Sequence, residues 1–211
     1  LLQAAWLVVV KPLDASRNGT EPLDLTSVQI LRGEFAHIGV LYREMLGVFG
    51  WRDTAAPEAT YIILTMVLGA LVLGAVLVAR RRTAIVLGAV IAATVAVPFV
   101  LESRAVRTAD FFWQGRYTLP IAVGVVLLAG HALGERLPLL PGVSRKRWFL
   151  LGGVVAMAQI AAFWQVLQRF MVGLGRGGIR FWIQPAWSPP VPAVLLLVAY
   201  TVAIGTSIAL L

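Results

Sequence analysis

YIILTMVLGALVLGAVLVA (Tyr61 to Ala79), RRR (Arg80 to Arg82) and TAIVLGAVIAATVAVPFVL (Thr83 to Leu101) follow one another without interruption. Each apolar run is about the 20 residues an α-helix needs to cross some 30 Å of hydrocarbon. Neither run contains a charge. Three arginines in the turn between them are what the positive-inside rule expects of a cytoplasmic loop. The pair therefore predicts a helical hairpin in a bilayer, with its turn on the cytoplasmic side.

The same reading extends along the chain. Tyr117 to Leu133, Trp148 to Gln168 and Val191 to Leu211 are three further charge-free apolar runs. Hydrophobic residues make up 59% of the 211-residue sequence and charged residues 13%, against roughly 45–50% apolar residues in soluble domains. Several such runs cannot be hidden in one soluble core. The fold class is all-α, a polytopic transmembrane helix bundle with about five full spans. Leu1 to Val10 is too short to span and reads as the tail of a preceding span, so that the remainder of the polypeptide lies N-terminal to Leu1. Residues 11–60 form an external loop, and residues 61–211 the five-span bundle.

A net charge of +8 would suggest nucleic acid in a soluble protein, but here the bases sit in short loops and form no stripe with interleaved aromatics. Nucleic acid is excluded as a partner, and membrane lipids take its place. Arg136, Arg145, Lys146 and Arg147 form a second basic turn, expected inside with Arg80 to Arg82 in a plasma membrane. The segments Lys11 to Thr60, Glu102 to Arg116 and Met171 to Pro190 then fall outside. Nine of the ten acidic residues lie in them. Tyr61, Trp113, Tyr117, Trp164, Trp182 and Trp187 gather at the outer ends, and Trp148 at an inner one, as an interfacial belt does. Cysteine is absent, which removes disulfides and thiolate chemistry.

Within the external loop, residues 11–24 are rich in turn formers. From Leu25 the pattern becomes helical. Leu31, Phe35, Ile38, Tyr42, Met45 and Phe49 recur at steps of three and four while Arg32, Glu34, Arg43 and Glu44 fall elsewhere, which predicts an amphipathic helix capped by Thr26 or Ser27. Its mixed-sign polar face favours packing over the bundle rather than lying on lipid. Small residues a turn apart, such as Ala70 and Gly74, suit close helix packing. Pro98 is expected to bend the second span, a bend that either opens a cavity or is absorbed by neighbours.

Some motif spellings carry no chemistry. Gly173, Gly175 and Gly178 spell G-x-G-x-x-G but follow a membrane span, not a β-strand, so they read as a glycine-rich linker with Arg176 and Arg180 nearby. Asn18 to Thr20 is an N-x-T sequon. His37 and His131 stand apart from other ligand types, so no metal and no cofactor is expected. More informative are Trp51, Arg52 and Asp53 before the first span, Trp113, Gln114, Arg116 and Tyr117 entering the third, and Trp182, Gln184 and Trp187 before the last. Arginine pairs bidentately with phosphate, while Gln and Asp bond hydroxyls and tryptophan offers a flat face to a sugar ring. Arg116, Gln114, Tyr117, Trp113, Arg52, Asp53 and Trp187 are thus candidate contacts for a lipid-phosphate-linked glycan. As individual residues they also suit interfacial anchoring.

GVFGWRDTAAP (Gly47 to Pro57), FWQGRYTLP (Phe112 to Pro120) and WSPP (Trp187 to Pro190) resemble landmarks of the bacterial DUF2142 family of predicted membrane proteins, in the C-terminal part of a longer member. That family is similar in layout to polytopic glycosyltransferases of the GT-C class, which take sugars from polyprenyl-phosphate donors on the external face. The resemblance implies a role in cell-envelope glycan assembly, with a polyprenyl-phosphate-linked sugar as partner. It also implies a catalytic loop upstream of Leu1, because the family's early acidic P-D-E-x-x-H-like motif does not occur here. A transporter or flippase of lipid-linked glycan and a non-catalytic assembly partner are the competing classes. Ion-coupled transport would favour ionisable groups within the spans, and the runs as bounded above contain none.

Overall fold

The arginine run between the first two apolar stretches is mostly helix. In the computed structural model, α2 (Glu58–Val78) is followed by only Ala79 and Arg80 before α3 (Arg81–Ala109) begins. The other elements are α1 (Ser27–Gly47), a small hairpin of β1 (Val48–Phe49) and β2 (Thr54–Ala55), α4 (Gly115–Gly134), α5 (Arg145–Val172) and α6 (Ala193–Ala209). The structure describes residues 26–109, 113–136, 145–173 and 185–210. The expected tail at residues 1–10, the sequon, the glycine-rich linker beyond Gly173, Trp182 and Gln184 lie outside the described residues.

Four helices are long and apolar enough to cross a membrane: α2, α3 over Arg81–Ser103, α4, and α5 over Trp148–Val172. The fifth expected span is the shorter apolar helix α6, of 17 residues. Only 11% of the apolar stretch of α2 is buried inside the chain. Ile62, Met66, Leu73 and Leu77 are more than half exposed, as lipid-facing residues are. The all-α bundle read from the sequence is the fold.

α4 packs against both α2 and α3, α2 also packs on α5, and α5 carries α6. Small side chains make these approaches close. Ala75, Leu87, Ala129 and Ala132 form the core where α2, α3 and α4 meet, and Gly74 faces Leu133 of α4. Its expected companion Ala70 is exposed instead. A second cluster joins Leu167 and Met171 of α5 to Ala193 of α6. Thr60 donates a hydrogen bond from α2 to the Ala158 carbonyl of α5 at 3.2 Å, a kind of link that averages about 0.6 kcal/mol in bilayers.

α1 starts with a capping box: Gln29 N donates to Thr26 Oγ1 at 3.3 Å, and Thr26 N donates to Gln29 Oε1 at 2.9 Å. It lies across α2, α3 and α4, as the mixed-sign polar face suggested. Its orientation about its own axis departs from expectation. Glu34 and Glu44 are buried, with Ile30 and Leu41 on the same stripe, while Leu31 and Phe35 are 45% and 63% exposed. Beside a lipid-facing bundle the apolar stripe gains little from turning inward, and of the two carboxylates Glu44 finds partners there, in Arg52 and the Gly115 N–H.

Candidate functional site

Four chain segments meet at one end of the bundle: the end of α1, the hairpin, the start of α4 and the end of α5. Val48 pairs with Ala55 and Phe49 with Thr54, so the tip is Gly50, Trp51, Arg52 and Asp53. Gly50 has φ +64° and Arg52 φ +67°; for a residue with a Cβ that conformation is costly and is held by surrounding contacts. Arg52 Nε meets Glu44 Oε1 at 2.5 Å. Asp53 Oδ2 meets Arg169 Nη2 of α5 at 2.5 Å, and Asp53 Oδ1 accepts from Thr54. Hydrogen bonds from the Arg169 guanidinium, then from the Thr54 hydroxyl, hold the Asp53 carboxyl below the usual carboxylate range. Trp51, at the tip, is 89% exposed.

Gly115 sits where α4 starts, and its N–H donates to Glu44 Oε2 at 2.7 Å. A Cβ there would overlap the Leu41 carbonyl and lie 2.7 Å from both Glu44 Cβ and Met45 N. The backbone contact is thus possible only for glycine. Around it the motif splits in two directions. Gln114 and Arg116 line a shallow pocket with Glu44, Val48, Gly50 and Arg52, and Gln114 Oε1 is buried without a partner. The Arg116 guanidinium lies 5.5 Å from the Tyr117 ring centroid and pairs with no described carboxylate.

Trp113 and Thr118 turn the other way. Trp113 N donates to Glu102 Oε1 at 3.1 Å, and Trp113 Nε1 donates to Thr118 Oγ1 at 2.9 Å. The Trp113 and Tyr117 rings meet edge to face, with centroids 5.6 Å apart. Glu102 and Thr118, each 1% exposed, belong to the wall of a cavity of about 310 Å³ between α1, α3 and α4. The wall is otherwise apolar except for Glu34, Tyr42 and Thr94, and Pro98 is part of it. Pro98, where the sequence predicts a bend, therefore borders a cavity. Val95, Val123 and Val126 of the lining are exposed, whereas Glu34, Glu102 and Thr118 are buried.

The structure thus unites Arg52, Gln114 and Arg116 in one pocket and seats Trp113 and Tyr117 beside them. Asp53 is bound to α5 instead. Trp187 also sits at α5, its N–H donating to the Met171 carbonyl at 3.1 Å, two residues from the Asp53 partner Arg169. Sequence reasoning missed Glu34, Glu44, Glu102 and Thr118. Glu102, one residue beyond the run Thr83 to Leu101, is buried near the end of the spanning stretch Arg81–Ser103 of α3. His131 is less isolated than expected, lying 3.8 Å from Glu135.

No curated protein and no solved structure matches the chain. Residues 22–125, which run through α1, the hairpin, α2, α3 and half of α4 and include both GVFGWRDTAAP and FWQGRYTLP, match the family model of DUF2142, a predicted membrane protein.

Proposed function

We propose that the protein is a membrane glycosyltransferase of the GT-C kind, taking a sugar from a polyprenyl-phosphate donor at the outer face of a bacterial plasma membrane for cell-envelope glycan assembly. The supporting observation is the turn Trp113 to Thr118, which separates two unlike compartments. One holds Arg116, with Arg52 and Gln114, and suits the donor phosphate. The other is an apolar cavity with a polar end and suits a lipidic second substrate. Transfer breaks the bond from the sugar's anomeric carbon to the phosphate oxygen, whose electron pair leaves with the polyprenyl phosphate. A bond to the acceptor oxygen forms, and the proton of the acceptor hydroxyl ends on the departing phosphate. Arg116 offsets charge on the departing phosphate through two parallel N–H bonds, a geometry lysine lacks.

The test is photolabelling of the full-length protein in nanodiscs by a diazirine-bearing polyprenyl phosphate. Labelling of the α4 N-terminal peptide is expected to fall about tenfold in Arg116→Lys and further in Arg116→Ala, at equal thermal stability. Equal labelling of the lysine form would overturn the phosphate role, since an interfacial anchor needs only a long cationic side chain. A second reading, proton-coupled flipping of a lipid-linked glycan, is favoured by the buried carboxyls Glu34 and Glu102. It predicts labelled-lipid translocation in proteoliposomes without sugar transfer.

A further inference from the structure

With Glu34 and Glu44 turned inward, the outer face of α1 keeps a different balance from the sequence as a whole. Its exposed side includes Leu31, Arg32, Phe35, Ala36, Val40 and Arg43, so the charged residues left outside are both arginines. Arg43 is engaged by Glu58, to which it donates two hydrogen bonds. Arg32 pairs with no described carboxylate. A surface of mixed sign in the sequence is thus apolar and basic in the folded chain, the composition that seats a helix at a membrane surface.

The neighbours of α1 set its depth and its roll. Arg43 meets Glu58, the first residue of α2, whereas Tyr42 donates a hydrogen bond to Thr65 at 2.7 Å. Thr65 lies seven residues farther along α2, about 10 Å at 1.5 Å per residue. Around the helix, Leu31 and Phe35 fall beside Tyr42, Arg32 falls beside Arg43, and Val40 lies on the far side from Leu31. The Phe35 ring meets Phe99 edge to face, with centroids 5.8 Å apart, inside the spanning stretch Arg81–Ser103 of α3. The edge with Leu31 and Phe35 therefore turns toward the bilayer interior, and the arginine edge toward the level where α2 begins. Leu31 and Phe35 stay exposed there, at a depth where the surroundings are acyl chains.

We infer that the outer face of α1 is a binding surface for anionic phospholipid, with Leu31 and Phe35 among the acyl chains and Arg32 on the headgroup phosphate. A zwitterionic head brings its own ammonium to that phosphate, whereas an anionic head leaves it to the arginine. The surface is separate from Arg116, so the inference does not rest on sugar transfer.

Spin labels on Phe35→Cys and Val40→Cys report depth, in full-length protein freed of other cysteines and placed in vesicles of equal phosphatidylcholine and phosphatidylglycerol. The label at position 35 is expected to collide with dissolved oxygen and be shielded from a water-soluble nickel chelate, and the label at position 40 to show the opposite preference. Shielding of position 35 from both reagents would mean that protein covers the face, and free access of the chelate would put it in water; either result overturns the inference. For selectivity, a diazirine-bearing phosphatidylglycerol is expected to label the α1 peptide several-fold more than its phosphatidylcholine analogue. Arg32→Gln is expected to lower phosphatidylglycerol labelling about fivefold, the factor one cation contributes near an anionic surface, with the thermal unfolding temperature unchanged. Arg32→Lys is expected to stay near the parent, since the attraction needs only the charge. Equal labelling by the two lipids, or undiminished labelling in Arg32→Gln, would overturn the anionic preference.

Discussion

Gly115 shows how one missing methyl group organises a site. Because the α4 backbone touches α1 there, the Glu44 carboxylate receives the Gly115 N–H directly and still faces Arg52 with its other oxygen. An added Cβ would force α4 away from Leu41 and Met45. Gly115→Ala is expected to destabilise the protein by about 1–3 kcal/mol, the usual range for overpacking. It should also weaken labelling by the diazirine-bearing polyprenyl phosphate, since its partner Glu44 lines the pocket with Arg116. Thermal unfolding in detergent with labelling in nanodiscs checks this; an unchanged melting temperature would show that α1 and α4 approach less closely. The sequence made Gly115 visible as a point of close approach. What approaches it was not legible, because Glu44 lies 71 residues away in the chain.

The hairpin between α1 and α2 is tied to its surroundings by two ion pairs, Arg52 with Glu44 and Asp53 with Arg169. The second links it to α5. Asp53 titrates below its ordinary value of about 3.9 when folded, so its ionised form favours the folded state. The contribution is fully present above that ordinary value and is lost as pH falls through the lower folded one. The unfolding temperature is expected to drop more steeply as pH falls below about 4 in the parent than in Asp53→Asn, with the two converging at the acidic end. Parallel curves would mean that the pair adds nothing. Helix positions were largely readable, because charge-free runs of spanning length have few alternatives. The rotation of α1 was legible only in part: Ile38, Tyr42 and Met45 of the apolar stripe do line the cavity, whereas the burial of Glu34 and Glu44 and the exposure of Leu31 and Phe35 could not be read from spacing. A rule that turns apolar residues inward holds in water and fails beside lipid, so only the neighbours decide. The hairpin was invisible too, since two-residue strands carry no periodicity.

Across the whole bundle, alternation of the helices puts the hairpin, the start of α4 and the end of α5 at one end, and the Ala79–Arg80 turn with Glu135 at the other, where Arg80 and Glu135 lie 4.0 Å apart. The basic turns predict which end is cytoplasmic. The chain has no cysteine, so single substitutions in it report cleanly once any cysteine elsewhere in the full-length protein is replaced. A membrane-impermeant maleimide is expected to label Trp51→Cys in intact cells and Arg81→Cys or Lys146→Cys only after permeabilisation; the reverse pattern would put the proposed donor site on the wrong side. The inward-turned Glu34 and Glu44 also bear on biosynthesis. α1 leaves the ribosome before any of the four long apolar helices, yet its carboxylates find their places only against α3 and α4, completed about 90 residues later. At 5–20 residues per second that is a wait of roughly 4 to 17 s. During it, α1 must stay in water or at the lipid surface with its acidic stripe solvated, and it docks only after α4 although it is made before α2. A ribosome pause before α4 would lengthen that exposure, making the nascent chain, rather than the finished bundle, the form most open to proteolysis.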